Sequence, residues 1–304
     1  MKQYSGSLLL ILCAFIWGTA FVAQADAAQS IPPFTFSALR SFIGASVLLL
    51  FLILRKVLGK KTQRIFDKKA IISGVICGVV LCIAMNLQQV GITVYPEGVN
   101  NIPGRSGFLT AMYVVMVPLG GLFFKRKVHP LVWVAMVLAV LSLWLLCLKN
   151  GFGGIYLGDI LRIICALAFT CQIITVDTLG AKADGVALSC IQFFVAGVLS
   201  LAVGLFAEPR PALSVLSDAW FSILYVGVLS SGVAYTLQIV GQKRTPPAVA
   251  SIVMSLESVF AVLGGWVVFH ETLSGREIIG CICMFAAVIL AQVPQMIKQE
   301  HQEG

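Results

Sequence analysis

Residues 252–273 read IVMSLESVFAVLGGWVVFHETL, and for about twenty positions around Glu257 the side chains are apolar or small. An unbroken apolar stretch of about 20 residues is what an α-helix needs to cross a hydrocarbon core of ~30 Å. Taken as the middle of a span over 248–269, the run places Glu257 tenth, about 14 Å in at 1.5 Å per residue and close to midplane. A carboxylate at that depth costs roughly 2.5–3.5 kcal/mol unless it is protonated, paired or hydrated. Two readings follow: a neutral or paired acid that ties helices together, or a carboxylate lining a cavity that binds a proton or a cationic group.

The rest of the chain has the same character. Of its 304 residues 59% are apolar and 11% charged, and the mean hydropathy is +0.97. A soluble domain carries roughly a quarter charged residues, so this composition excludes one and predicts a membrane protein. The net charge of +8 sits in short clusters between apolar runs. That distribution fits orientation signals and anionic lipid, not nucleic acid. All nine cysteines lie within apolar runs and read as small packing residues; neither a disulfide framework nor a metal site is expected.

Ten apolar runs are expected to span, over 7–25, 35–54, 70–92, 106–124, 130–148, 157–177, 186–206, 218–239, 248–269 and 275–294. If the N-terminus is cytoplasmic, the inner segments carry fifteen Lys and Arg, from Lys2 through the 55–69 loop to Lys298. The outer ones carry four: Arg105, Lys149, Arg210 and Arg276. That bias predicts both termini and a short tail, 295–304, on the cytoplasmic side of the cell membrane. Lys2 followed by an apolar stretch and Ala23-Gln24-Ala25 mimics a cleavable signal peptide, but an uncleaved first helix is expected because the repeat described next needs it.

Four blocks match at a shrinking offset. CAFIWGTAF (13–21) lies over CALAFTCQI (165–173), LRSFIGAS (39–46) over IQFFVAGV (191–198), AMNLQQVG (84–91) over AYTLQIVG (234–241), and VPLGGLFF (117–124) over AVLGGWVV (261–268). The last alignment puts Tyr113 over Glu257. The expected fold is therefore all-α, ten transmembrane helices in two five-helix repeats, 1–148 and 149–294. An odd number of spans per repeat forces the second to insert upside down. Inverted repeats with a midplane site are a mark of secondary transporters.

These residues bring the chain to a known family. Over residues 7–294 it resembles EamA-type permeases of the drug/metabolite transporter superfamily, through W-G-T at Trp17 to Thr19, F-x-x-x-R at Phe36 and Arg40, and L-E-x-V-F-A-x-x-x-G-W from Leu256 to Trp266, followed by His270-Glu271. Ser258 and His270 stand where the family often carries Pro and Gly, a departure that bears on helix kinking. The resemblance implies transport, commonly export, of amino acids, related metabolites or xenobiotics.

Candidate site residues follow from polarity inside the spans. Glu257 and Arg40 come first; Arg40 either snorkels outward or turns inward toward Glu257 or an anionic substrate group. Trp17, Tyr113, Asn86, Gln172, Gln192 and Tyr235 complete the substrate-binding set, with Gln88, Gln89 and Gln238 as further amides; interhelical bonding is the competing role for each amide. Arg162 and Asp159, three apart on one helix, are expected to pair or to reach the interface. Gly74-x-x-x-Gly78 and the aligned Gly120-Gly121 and Gly264-Gly265 read as helix-crossing points, the second pair joining the fourth and ninth spans.

There is no G-x-x-x-x-G-K-[ST] for ATP and no H-E-x-x-H for zinc; no enzyme activity, cofactor or metal is expected. The sequence points to a secondary transporter for a small organic metabolite, working by alternating access, with protons as a candidate coupling ion and a homodimer as a candidate assembly. An uncoupled facilitator is the alternative, ahead of a non-transporting membrane scaffold.

Overall fold

The computed structural model describes residues 4–58, 68–96, 102–123, 125, 128–148, 154–180, 183–269 and 274–303. Among these the chain is helical, with no strand. The helices are α1 (Tyr4–Ala27), α2 (Pro33–Val57), α3 (Lys68–Thr93), α4 (Ile102–Ala111), α5 (Tyr113–Phe123), α6 (Pro130–Cys147), α7 (Leu157–Leu179) and α8 (Gly185–Ala207). Then follow α9 (Leu213–Asp218), α10 (Trp220–Tyr225), a π-helical segment (Val226–Ala234), α11 (Tyr235–Gln242), α12 (Pro247–Met254), α13 (Leu256–Phe269) and α14 (Gly275–Glu303). Among the described residues seven helical stretches are long and apolar enough to cross a membrane, and three shorter apolar ones lie at Ser5–Ala20, Gly107–Phe123 and Pro247–Leu263.

The helices begin where backbone donors need no partner in the preceding turn. Pro33, Pro130 and Pro247 each occupy a first helical position, where a missing N–H costs nothing. Asp184 caps α8 by accepting from the N–H groups of Val186 and Ala187. Outward faces carry large exposed apolar residues, such as Leu50, Phe51 and Ile53 on α2, as contact with lipid requires. The polar side chains are turned inward: Arg40, Asn86, Gln89, Arg162, Gln172, Gln192, Gln238 and Glu257 are all buried.

Packing brings distant helices together. The α2 and α8 helices lie along each other, α6 packs on α14, and α3 contacts both α7 and α8. The counterpart contacts join α1 to α11 and the π segment, and α2 to the π segment; α1 packs on α13, and α7 on α4 and α5. Helix ends meet in two groups. At one end Arg55 pairs with Asp184 at 2.8 Å, Lys243 Nζ donates to the Ala183 carbonyl, and Arg244 donates to Ser5 Oγ. At the other, the N–H groups of Phe34 and Thr35 donate to Glu208, Tyr95 Oη donates to Asp159, and Arg276 donates to the Trp144 carbonyl.

Three glycine expectations meet the structure differently. Gly74 and Gly78 do mark a close crossing: a Cβ at Gly78 would lie 2.8 Å from the Gln192 carbonyl on α8, and one at Gly74 2.6 Å from Ile191. Gly120 faces Ile174 and Thr170 of α7, while the fourth and ninth runs meet where α5 packs on α12. The surroundings of Gly264 and Gly265, like His270 and Glu271 and the loop lysines Lys60, Lys61, Lys149 and Lys182, lie outside the described residues. The α14 helix continues past Pro294 to Glu303.

Candidate functional site

Two helix breaks frame the site. The fourth apolar run is interrupted at Met112 and the ninth at Ser255, each immediately before the helix that carries a central polar residue, Tyr113 or Glu257. The second break occurs with Ser258 where the family often has proline. Ser255 Oγ donates to the Ser251 carbonyl and the Ser258 N–H reaches back to the Ser255 carbonyl, a tightened turn of the 3₁₀ kind. A third irregularity is the π-helical segment, whose wider turns present Ser230 and Ser231 to α1 and α2. Segments of this kind concentrate at functional positions.

Between these elements lies a cavity with about 460 Å³ of space, its open mouth included. Tyr113 Oη donates to Glu257 Oε1 at 3.1 Å, both groups buried. The residues aligned one over the other by the internal repeat thus touch. Three further aligned pairs line the same cavity: Trp17 with Phe169, Gln88 with Gln238, and Thr110 with Met254. Equivalent positions meet only near a symmetry axis, so the cavity sits where such an axis would pass.

The remaining wall is not repeat-matched. Arg40 is buried and turned inward; its Nε donates to Ser231 Oγ at 3.1 Å and its Nη1 to Gln24 Oε1 at 2.9 Å. Arg40 makes no ion pair with Glu257: it is committed to the π segment and to α1, and the ion pair at Arg55 and Asp184 is the one present among the described residues. Trp17 Nε1 donates to the Ser230 carbonyl at 3.4 Å, and the Trp17 and Tyr235 rings meet edge-on at 4.8 Å. Tyr235 in turn meets Phe193 at 5.1 Å. The W-G-T sequence acquires a meaning here. Trp17 faces the cavity, Thr19 Oγ1 meets Tyr225 Oη at 2.7 Å, and Gly18 brings α1 against the backbone of α13 at Glu257 itself.

Of the eight expected binding residues, Trp17, Arg40, Tyr113, Tyr235 and Glu257 line the cavity, and Asn86, Gln172 and Gln192 do not. Asn86 Nδ2 donates to the Cys82 carbonyl and to Ser200 Oγ at 2.8 Å each, joining α3 to α8. Gln172 accepts from Gln238 Nε2 at 3.1 Å, behind the wall. Gln192 is fully buried and its amide has no protein partner. Nor do Arg162 and Asp159 pair: Arg162 donates to Thr110 Oγ1, while Asp159 accepts from Tyr95 Oη and the Tyr156 N–H. Missed by the sequence reading were Gln24, Thr110 and Ser230. Gln24 is the middle of the A-x-A that imitates a cleavage site; hydroxyl residues in an apolar run carry no signal of their own.

At the N-cap of α8, outside the bilayer-spanning stretches, burial pushes the Asp184 carboxyl up. The hydrogen bond from Arg55 and those from the Ala187 and Val186 N–H groups outweigh it, and the group is held below the usual carboxylate range.

A helical multi-pass membrane protein with a buried polar cavity between broken helices is the architecture of a solute transporter. The sequence profile of the EamA-like transporter family matches residues 4–148 and again 156–292; the chain belongs to that family, within the drug/metabolite transporter superfamily, and is a transporter of that kind. Among its relatives is an uncharacterized transporter of Archaeoglobus fulgidus, 27% identical over 96% of this chain and 87% of the relative. The inner membrane transporter YedA of Escherichia coli is 27% identical over 90% and 86%. The threonine/homoserine exporter RhtA of Salmonella typhimurium is 28% identical over 60% and 66%. A crystal structure at 16% identity aligns with a TM-score of 0.77 over 95% of this chain and 98% of that one; at that identity the likeness concerns the fold alone.

Proposed function

We propose that the chain crosses the cell membrane ten times as two inverted five-helix repeats, with both termini cytoplasmic, and moves a small amino-acid-like metabolite outward by alternating access. One observation carries the reading: four repeat-aligned pairs, with Tyr113 and Glu257 in contact, line a single cavity. Rocking of one repeat against the other about such an axis would open that cavity to either side in turn. The paired packing of α3 on α7 and of α1 on α11 supports it, as does the meeting of alternate helix ends in two groups.

Within the cavity Glu257 is the anion and Arg40 the cation. Glu257 has a single hydrogen bond, from Tyr113, and no cation beside it among the described residues. A carboxylate so placed is open to an ammonium group or to a proton. Arg40 spends Nε and Nη1 on the protein, leaving Nη2 to a substrate carboxylate. Trp17, Phe169 and Tyr235 form the apolar wall that measures the side chain. L-threonine and L-homoserine, from the name of one relative, are the first solutes to try.

Export coupled to proton entry is tested in proteoliposomes loaded with radiolabelled amino acids, with and without a pH gradient. The expected outcome is gradient-dependent flux that becomes insensitive to the gradient in Glu257→Gln. Flux indifferent to the gradient in the unmodified protein would make it a facilitator, with Glu257 a structural acid.

A further inference from the structure

Arg162 has no task in this cycle, yet it is the largest fully buried side chain of the described residues. It is the sixth residue of α7, about 8 Å along from that helix's start. Its Nη1 donates to Thr110 Oγ1 at 3.1 Å, whereas Nε and Nη2 are buried with no partner. Those two nitrogens share one edge of the guanidinium plane, with N–H bonds running parallel. That edge is the one that receives both oxygens of a carboxylate side-on. Arg40, by contrast, has already used its Nε. A guanidinium left unpaired in a span is costly, and a methionine would fill the space without that cost.

The side chain is closely packed beside Nε. Gly91 of α3 faces it, and a Cβ there would come within 3.1 Å of Nε and 3.3 Å of Cγ and Cδ. Thr110, which holds Nη1, is also a wall of the central cavity. Arg162 therefore stands one side chain behind that wall, on the helix whose start carries Tyr156 and Asp159, at the end where Tyr95 bonds Asp159.

We propose that Arg162 is a second carboxylate station, whose Nε and Nη2 take the two oxygens of a monocarboxylate when the contact between α4 and α7 at Thr110 parts. Its position on a path rests on the transport reading; its chemistry rests on the empty edge. A monocarboxylate fits better than a phosphate because one guanidinium and one neutral hydroxyl balance a single negative charge. A dianion would leave one charge buried and uncompensated.

The test uses the full-length protein in detergent, with thermal unfolding followed against sodium acetate and sodium chloride making up constant ionic strength. Arg40→Lys is the background, so that an acetate effect belongs to the remaining fork. The expected result is a saturable rise in unfolding temperature with acetate. It is lost when Arg162→Lys is added, which keeps the charge without the fork, and when Gly91→Ala is added, which keeps the arginine and fills its edge. If the lysine variant does not fold, the Gly91→Ala arm decides. Absence of the rise in the Arg40→Lys background, its survival in Gly91→Ala, or an equal rise with inorganic phosphate overturns the assignment. An acetate effect without amino-acid flux sinks the transport reading and leaves the station; flux without the acetate effect does the reverse.

Discussion

Gly18→Ala is the most direct probe of how the helices are held around the cavity. A Cβ at position 18 would lie 2.6 Å from the Glu257 carbonyl oxygen, 2.7 Å from Phe260 Cβ and 2.9 Å from the Ala261 nitrogen. Two of these are backbone atoms and the third is a Cβ fixed to one, so no side chain can swing away. Ordinary contact begins near 3.4 Å, and α1 must therefore retreat from α13 by about 0.8 Å. Overpacking of this kind costs about 1–3 kcal/mol, and three contacts at once place it in the upper part of that range. Alanine returns about 1 kcal/mol of helix propensity, which leaves a net loss of about 1–2 kcal/mol. At 2–4 °C per kcal/mol for a chain of this order, the unfolding temperature falls by roughly 2–8 °C. Tryptophan-fluorescence melting of the purified protein reads it, and Gly275→Ala is the control, because nothing lies within 4 Å of that position. A Gly18→Ala protein that melts at or above the unmodified temperature would refute the close approach of α1 to α13 and the reading of the W-G-T sequence built on it.

Two further perturbations separate packing from binding. Asn86→Ala removes the bonds to Cys82 and Ser200 between α3 and α8. It is expected to cost about 0.6–2 kcal/mol while leaving the order of preference among solutes unchanged in a counterflow assay; an altered order would place Asn86 in the site. Asp184→Ala removes the cap of α8, a loss of about 1 kcal/mol at neutral pH. Because the folded carboxyl titrates below its ordinary value, that advantage is complete above about pH 3.9. It is lost as pH falls from there through the folded-state value, so the melting curves of Asp184→Ala and the unmodified protein should converge in acid. Curves that stay parallel would show that the charge of Asp184 contributes nothing.

The apolar runs and the repeat were legible residue by residue, and helix, broken in places as at Met112 and Ser255, occupies each run among the described residues. Alignment of Tyr113 over Glu257 was legible too, as was the inward position of both. The partners of the charged side chains were not. Arg40 was expected either to snorkel outward or to turn inward toward Glu257 or an anionic substrate group, but depth along the membrane normal says nothing of azimuth. A step of one residue turns a side chain by about 100° around the helix. Arg40 faces Gln24 and Ser231 for that reason; Arg162 bonds Thr110 while Asp159, three residues back on the same face, is taken by Tyr95 and the Tyr156 N–H. In a soluble helix the apolar stripe would have revealed the buried face. In lipid both faces are apolar, and the stripe that separates protein-facing from lipid-facing positions is faint.

By itself, then, the sequence determined what must hold in any packing of these helices: enough apolar length to cross the bilayer, a buried acid in the ninth run, and two halves built alike. These follow from sums along the chain, because the free energy of placing a segment in lipid depends on its composition and length. Tertiary structure decided which side chains share the cavity. It put Trp17 and Phe169, Gln88 and Gln238 and Tyr113 and Glu257 on one wall system, withdrew Asn86, Gln172 and Gln192 to helix contacts or the interior, and left one edge of Arg162 without a protein partner. Those outcomes depend on how each helix is rotated against its neighbours. That rotation is set by close contacts such as Gly18 on α13 and Gly78 on α8, which exist only once the helices have met.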